Sequence, residues 1–350
     1  MYNHSTTKKV KVGNIYIGGG APVSIQSMLN RPAHNFEESA AQAKELERAG
    51  CEIIRTAVPD MEAVGLIYKL KEAVNVPIVA DIHFDYRLAI ESAAAGADKI
   101  RINPGNIGDD QKVNDVVRAC RSGGIPIRIG VNSGSVEKSA LQKYGGPTYE
   151  ALVESGMYHV KLLEKFDFDD IVLSIKSSSV PTMYKAYELA SEVCPYPLHL
   201  GVTEAGTKEM GTISSAAGIG GLLLRGIGDT IRVSLTDNPV EEVYAAKRIL
   251  KAIGLRTGGI KFVSCPTCGR TKIDLIGIAT EAEKRLGDVE KDITVAIMGC
   301  AVNGPGEARE ADIGIAGGDG CGLIFKKGEI VRRVNEDKLI EELIKEIELL

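Results

Sequence analysis

The sequence has no apolar run of the ~18 residues that suggest a bilayer span. Its opening, MYNHSTTKKV, has no apolar core of the kind a secretory leader carries. These two absences predict a cytoplasmic protein with no membrane partner. No Lys/Arg run is long enough to mark a nucleic-acid face, and the net charge is −5, so no nucleic-acid partner is expected, although local basic pockets remain allowed. The G-x-G-x-x-G fingerprint of dinucleotide folds and the P-loop are both missing. Histidine is scarce, five in 350 residues, and none follows His199. The seven cysteines, Cys51, Cys120, Cys194, Cys265, Cys268, Cys300 and Cys321, are odd in number, which argues against a disulfide framework. The first three lie in apolar-periodic segments and read as small buried hydrophobes.

What is present is ordinary in bulk and regular in order. Hydrophobic residues make up 44% and charged residues 25%, a normal balance for a globular protein. From about residue 21 to 253 a short β-branched run is repeatedly followed by an amphipathic helical stretch. The runs are VSIQSM (23–28), EIIRTAV (52–58), IVADIHF (78–84), KIRINP (99–104), PIRIGVN (126–132), IVLSIKS (171–177), LHLGVTE (198–204) and IRVSLT (231–236). Near-continuously apolar strands alternating with helices indicate a parallel sheet. Eight such units over roughly 230 residues match an α/β fold of the (β/α)8 TIM-barrel type, with a doubly wound open sheet as the alternative. The segment GLRTGGI (254–260) reads as a linker. Residues 261–350 read as a smaller α+β domain, with strands in KFVSCP, ITVAIMG, ADIGIAG and GLIFKKGEIV and helices in IDLIGIATEAEKRL and DKLIEELIKEIELL.

A barrel of this kind builds its active site at the C-terminal ends of its strands. Those ends carry Gln26, Arg55, Asp81 and His83, Arg101 and Asn103, Arg128 and Asn132, Lys176, Glu204 and Ser234. Three arginines and a lysine on one mouth need anionic partners, and two carboxylates cannot balance them. Arginine forks suit phosphate oxygens, and several suggest more than one phosphate. GIGDT (226–230) is expected to add backbone N–H groups near the last strand. Lys176 also has a second reading, as a Schiff-base lysine activated by cationic neighbours.

The second domain offers Cys265 and Cys268 in CPTCGR and Cys300 in MGCAVNGPGEA. With no histidine after His199, a Cys3His zinc site within this domain is excluded. The fourth ligand is then Cys321, in what reads as an exposed turn, or a carboxylate, or something external. The Gly/Pro loop after Cys300 resembles iron–sulfur loops, whose turns aim backbone N–H groups at sulfur. Zinc stays open on spacing alone.

These segments, SCPTCGRT and MGCAVNGPGEAREADIGIAGG, together with VADIHFDYRLA, KIRINPGNIG, PIRIGVNSGS, LHLGVTEAG and GIGDTIRVSLT, resemble the bacterial 4-hydroxy-3-methylbut-2-enyl diphosphate synthase family of isoprenoid biosynthesis. The match covers nearly the whole chain. QSMLNRPAHN lacks the threonines the family tends to place after QSM, and Ser179 stands where an Asp is usual. The resemblance implies a [4Fe–4S] cluster held by Cys265, Cys268, Cys300 and Glu307, with Glu307 on a labile iron and Cys321 incidental. It implies reductive ring opening and dehydration of 2-C-methyl-D-erythritol 2,4-cyclodiphosphate, with electrons from reduced flavodoxin or ferredoxin. Arg55, Arg101, Arg128 and Lys176 would hold the diphosphate, with Asp81, His83, Asn103, Asn132 and Ser234 beside it. Glu204 would be the acid/base at the departing hydroxyl.

The eighth helix runs back from its strand, so the chain leaves the barrel at the end away from the mouth. Seven linker residues span at most ~25 Å, about the length of that helix. A head-to-tail homodimer, each cluster domain capping the partner's barrel, resolves this and matches the family. Two rivals share the fold: a Schiff-base aldolase with a structural zinc appendage, and a scaffold bearing a metal-holding interaction module.

Overall fold

The computed structural model describes residues 6–287, 289–300 and 308–350. Two compact units emerge, residues 1–255 and 256–350. The first is an eight-stranded parallel barrel. Its strands are β3 (Ser24–Met28), β4 (Ile53–Ala57), β5 (Ile78–Asp81), β6 (Lys99–Ile102), β7 (Ile127–Asn132), β8 (Ile171–Lys176), β9 (His199–Leu200) and β10 (Thr230–Ile231). They follow the order β8-β7-β6-β5-β4-β3-β10-β9, and bridges Leu173↔Leu198 and Ser177↔Val202 bring the β8 and β9 segments together. The last two strands are much shorter than the apolar runs that announce them. Past Leu200 and Ile231 the backbone bends away into loops, and Glu204 takes φ +55.

Strand alternation sorts the barrel's side chains. Ile54, Ile78, Ile100, Ile127, Leu173 and Leu200 point outward into the main apolar core, shared with the surrounding helices. Those helices stop and start on local chemistry. Asn35 caps Phe36–Ala49 by accepting from the Glu38 N–H, and Gly50 ends it in the left-handed conformation at φ +92.

A feature absent from the sequence reading lies at the N-terminus. An antiparallel hairpin, β1 (Val10–Val12) and β2 (Ile15–Ile17), packs Val10, Val12 and Ile17 against the inward Ile53, Val79 and Val172. These inward residues sit low on their strands, so the hairpin plugs the bottom of the barrel with apolar side chains.

The second unit is a five-stranded sheet, β11 (Lys261–Ser264), β12 (Thr294–Met298), β13 (Ile313–Gly318), β14 (Cys321–Lys326) and β15 (Glu329–Asn335), ordered as numbered. The first three strands pair in parallel, and β14 pairs antiparallel with both β13 and β15. Helices Leu275–Leu286 and Leu339–Glu348 cover one face, burying Leu275, Ile278, Leu339 and Leu343 against Val295, Ile297 and Ile315. The other face carries Ala296, Met298, Ala316 and Phe325. Among the described residues, no helix is long and apolar enough to cross a membrane.

Candidate active site

The barrel mouth is built on buried cations. Arg55, Arg101 and Arg128 are 4%, 4% and 0% exposed, each inward on β4, β6 and β7. Parallel pairing sets Arg101 beside both Asp81 and Arg128. Asp81, at the end of β5, lies 3.5 Å from Arg55 Nε and accepts from Arg101 Nη1 at 3.0 Å. Arg101 also donates to the Gly130 carbonyl at 3.3 Å. Glycine is required there, because a Cβ on residue 130 would meet Arg101 Nε at 2.5 Å. Arg128 reaches Gln26 Oε1 at 3.4 Å.

The electrostatics follow from this crowding. Burial raises the Asp81 carboxyl, but Arg55 and Arg101 overcome it and hold the group well below the usual carboxylate range. Burial, with Arg101 and Arg232 nearby, pulls Arg55 down to about 10 despite Asp81. Lys176, half-buried at the end of β8, falls to about 6 through burial and the repulsion of Arg55, Arg101 and Arg128. The site is pre-loaded with positive charge that one carboxylate only partly offsets, which suits a multiply charged anion.

The remaining expected residues divide. His83 is half exposed with Nε2 3.7 Å from Asp81. Asn103 is buried, but its side-chain oxygen accepts from the Gly105 N–H at 3.1 Å, capping the turn Pro104–Ile107. Asn132 is exposed and forms a reciprocal cap with Ser135. Ser234 is half-buried and Glu204 exposed. GIGDT needs correction. It precedes β10, so it sits at the foot of the barrel, where Asp229 accepts from Thr7 at 3.0 Å and from the Leu198 N–H at 2.8 Å. The stretch ties strand starts together and contributes nothing at the mouth.

Three inward side chains escaped the sequence reading. Arg232, two residues before Ser234, lies 3.3 Å from Glu242. Lys99 and His199 are buried on β6 and β9. Strand period, rather than strand end, is the signal that finds them: each shares an inward face with a residue already named or with its paired neighbour.

In the second unit the C-terminal ends of β11 and β12 lie side by side, with Ser264 opposite Ile297. Cys265 and Cys300 therefore leave the same sheet edge. The Gly299 N–H donates to Cys265 Sγ at 3.2 Å, and the Lys272 N–H returns to the Gly299 carbonyl at 2.9 Å. Hydrogen bonds from Arg270 draw the exposed Cys268 thiol below its ordinary value. Soft sulfur donors, an N–H aimed at one of them and a lowered thiol fit a thiolate-held iron–sulfur cluster. Among the described residues, no three His, Cys, Asp or Glu side chains meet as a finished metal set, and Glu307 lies outside the described residues.

Cys321 also needs correction. It is not in an exposed turn but is the buried first residue of β14, and Arg333 Nε donates to its sulfur at 3.0 Å. Cys51, Cys120 and Cys194 are buried in the barrel unit, and burial pushes each thiol up to about 12.

Comparison with known proteins bears on both units. The model of the GcpE TIM-barrel domain matches residues 7–247, and that of the GcpE protein C-terminal domain matches residues 261–349. The chain is 62% identical over 346 residues to 4-hydroxy-3-methylbut-2-en-1-yl diphosphate synthase (flavodoxin) of Clostridium perfringens, covering 99% of each chain. It is 53% identical to the protein of the same name from Bacillus cereus, covering 100% of this chain and 95% of that one. Among solved structures, it resembles Yersinia pestis dihydropteroate synthase, with TM-score 0.52, 16% identity and coverage of 71% of this chain and 99% of that one. It also resembles 3-dehydroquinate dehydratase of Geobacillus kaustophilus, with TM-score 0.52, 17% identity and coverage of 72% and 99%. At such identities these two likenesses speak to the barrel fold alone.

Proposed function

Because this chain belongs to the GcpE family, we propose that it is an iron–sulfur oxidoreductase. It opens the ring of 2-C-methyl-D-erythritol 2,4-cyclodiphosphate and removes one oxygen as water, giving 4-hydroxy-3-methylbut-2-enyl diphosphate. The balance needs two electrons and two protons, and reduced flavodoxin or ferredoxin supplies the electrons. The observation that carries this reading within the structure is the barrel mouth: three buried arginines and a depressed lysine lie in the field of Asp81, which pairs with Arg55 and Arg101.

In this reading Arg55, Arg101 and Arg128 take the diphosphate oxygens, and their buried positions fix its orientation without further reorganisation. Asp81 holds Arg55 and Arg101 in register. Lys176 completes the cationic ring and takes a proton when the dianion arrives. His83, Asn103, Asn132 and Ser234 stand as polar partners around the ring, with Arg232 added from the structure. Glu204, on a loop in left-handed backbone, is the candidate to deliver a proton to the departing hydroxyl. Cys265, Cys268, Cys300 and Glu307 would hold a [4Fe–4S] cluster. When bound, the cluster supplies electrons one at a time and a Lewis-acidic iron. The barrel is thus the substrate domain and residues 261–350 the cluster domain, and a cytoplasmic head-to-tail homodimer is the working assembly supported by the short linker.

Oxygen-free protein with reduced flavodoxin should convert the cyclodiphosphate to the linear product, and Arg101→Met should lose at least about 100-fold in kcat/KM, or ~3 kcal/mol. The aldolase reading predicts instead that borohydride traps a substrate carbonyl on Lys176 and that flavodoxin is irrelevant. Either of those results would replace the reductive reading.

A further inference from the structure

Beneath the mouth the barrel interior holds one further buried lysine, Lys99. Lys99 precedes Arg101 by two residues on β6, so both face the barrel interior, roughly 6.6 Å apart along the strand. Lys99 is 0% exposed. Its Nζ has no hydrogen-bond partner among the described residues, and the same holds for Arg128 Nε and Nη2, Gln26 Nε2 and His199 Nδ1. Burial, with Arg128 and Arg55 close by, pushes the Lys99 amine well below its ordinary value. His199, on the far side of the ring on β9, is pushed down by burial and by the fields of Arg128 and Lys99. Lys99 therefore acts across the interior of the barrel rather than outward to the helices.

Barrel interiors of this type are usually filled with Val, Ile and Leu. Here Lys99, the first residue of β6, pairs with Val79, which belongs with Ile53 and Val172 to the apolar cluster that the hairpin residues Val10, Val12 and Ile17 complete. Among the described residues, no carboxylate hydrogen-bonds the Lys99 amine. The nearest carboxylate above it on the neighbouring strand is Asp81, which is already engaged by Arg55 and Arg101.

We propose that Lys99 is a positioning residue of the diphosphate site, whose buried amine carries positive charge beneath Arg101 and Arg128 when the bound diphosphate compensates it through the mouth. The inference rests on the reading of the mouth as a diphosphate site. Its consequence is a trade between the two states. A buried amine without a partner destabilises the empty barrel, and the ligand recovers that cost, so stability of the empty protein and affinity for the dianion move in opposite directions.

The test uses the full-length chain as wild type, Lys99→Met and Lys99→Gln, with inorganic diphosphate as the binding probe and cyclodiphosphate turnover as the kinetic one. Methionine keeps the length of the side chain and removes the charge. The expected result is a higher Tm for ligand-free Lys99→Met and diphosphate affinity weakened by about 10-fold or more. KM for the cyclodiphosphate should rise while kcat changes much less, the signature of lost binding rather than lost chemistry. Lys99→Gln should weaken binding similarly, which keeps the test decisive if the methionine variant does not fold. If the substitutions lower Tm but leave diphosphate affinity and KM within about twofold of wild type, Lys99 is interior filling and the inference is wrong. If wild type itself has no affinity for diphosphate, the reading of the mouth fails first and takes this one with it.

Discussion

Asp81 is the residue on which the mouth's charge arrangement depends most. It is 1% exposed and touches both Arg55 and Arg101. Asp81→Asn removes the charge and leaves two buried guanidinium groups without compensation, so it should cost roughly 3–5 kcal/mol in urea unfolding. Lys176 gives a pH signature. Because its folded value is about 6 against an ordinary 10.5, the empty folded chain binds fewer protons than the unfolded chain between those values. Stability from this group therefore rises with pH across that window and is flat below it. A bound dianion reverses the shift, so cyclodiphosphate binding near pH 7.5 should take up protons. Calorimetry in buffers of different ionisation enthalpy reads that uptake, and Lys176→Met should diminish it. At this scale the mouth was legible because Arg, Asp and Lys recur at strand ends. Lys99 and His199 are not legible that way, because they sit one inward step below the strand ends, on β6 and β9.

At the level of elements, the barrel strands were legible because each is a β-branched run bounded by polar residues. The hairpin β1–β2 was not, since its three-residue strands are too short to carry a period. GIGDT was misplaced for a related reason. A glycine-rich stretch next to a strand can sit at either end, and only chain direction shows that it precedes β10. Its Gly228 has φ +117, and a Cβ there would meet Leu200 Cδ1 at 2.4 Å. Gly228→Ala should therefore destabilise by roughly 1–3 kcal/mol in urea unfolding while leaving KM for the cyclodiphosphate unchanged. A change in KM would return that stretch to the mouth. In the second unit, Cys321 read as part of a turn because Gly317, Gly318, Gly320 and Gly322 surround it. Cross-strand pairing with Gly318 and Asn335 makes it part of the sheet instead.

Across the whole molecule, each unit has its own apolar core, one spread around the barrel and the other between the small sheet and its two helices. Units with separate cores fold separately. A chain ending at Leu255 should keep a cooperative thermal transition and a diphosphate-induced rise in Tm, while losing all iron and all turnover. The division of chemistry proposed above depends on that separation, with anion recognition in the barrel and electron delivery from the cysteine-bearing unit. The metal those cysteines hold decides between electron delivery and a purely structural role. The direct measurement is iron, zinc and acid-labile sulfide on protein purified without oxygen, for wild type, Cys300→Ala and Cys321→Ala. Wild type and Cys321→Ala should hold about four irons and about four sulfides per chain, and Cys300→Ala should lose them. About one zinc per chain without sulfide, lost in Cys321→Ala, would contradict the iron–sulfur reading.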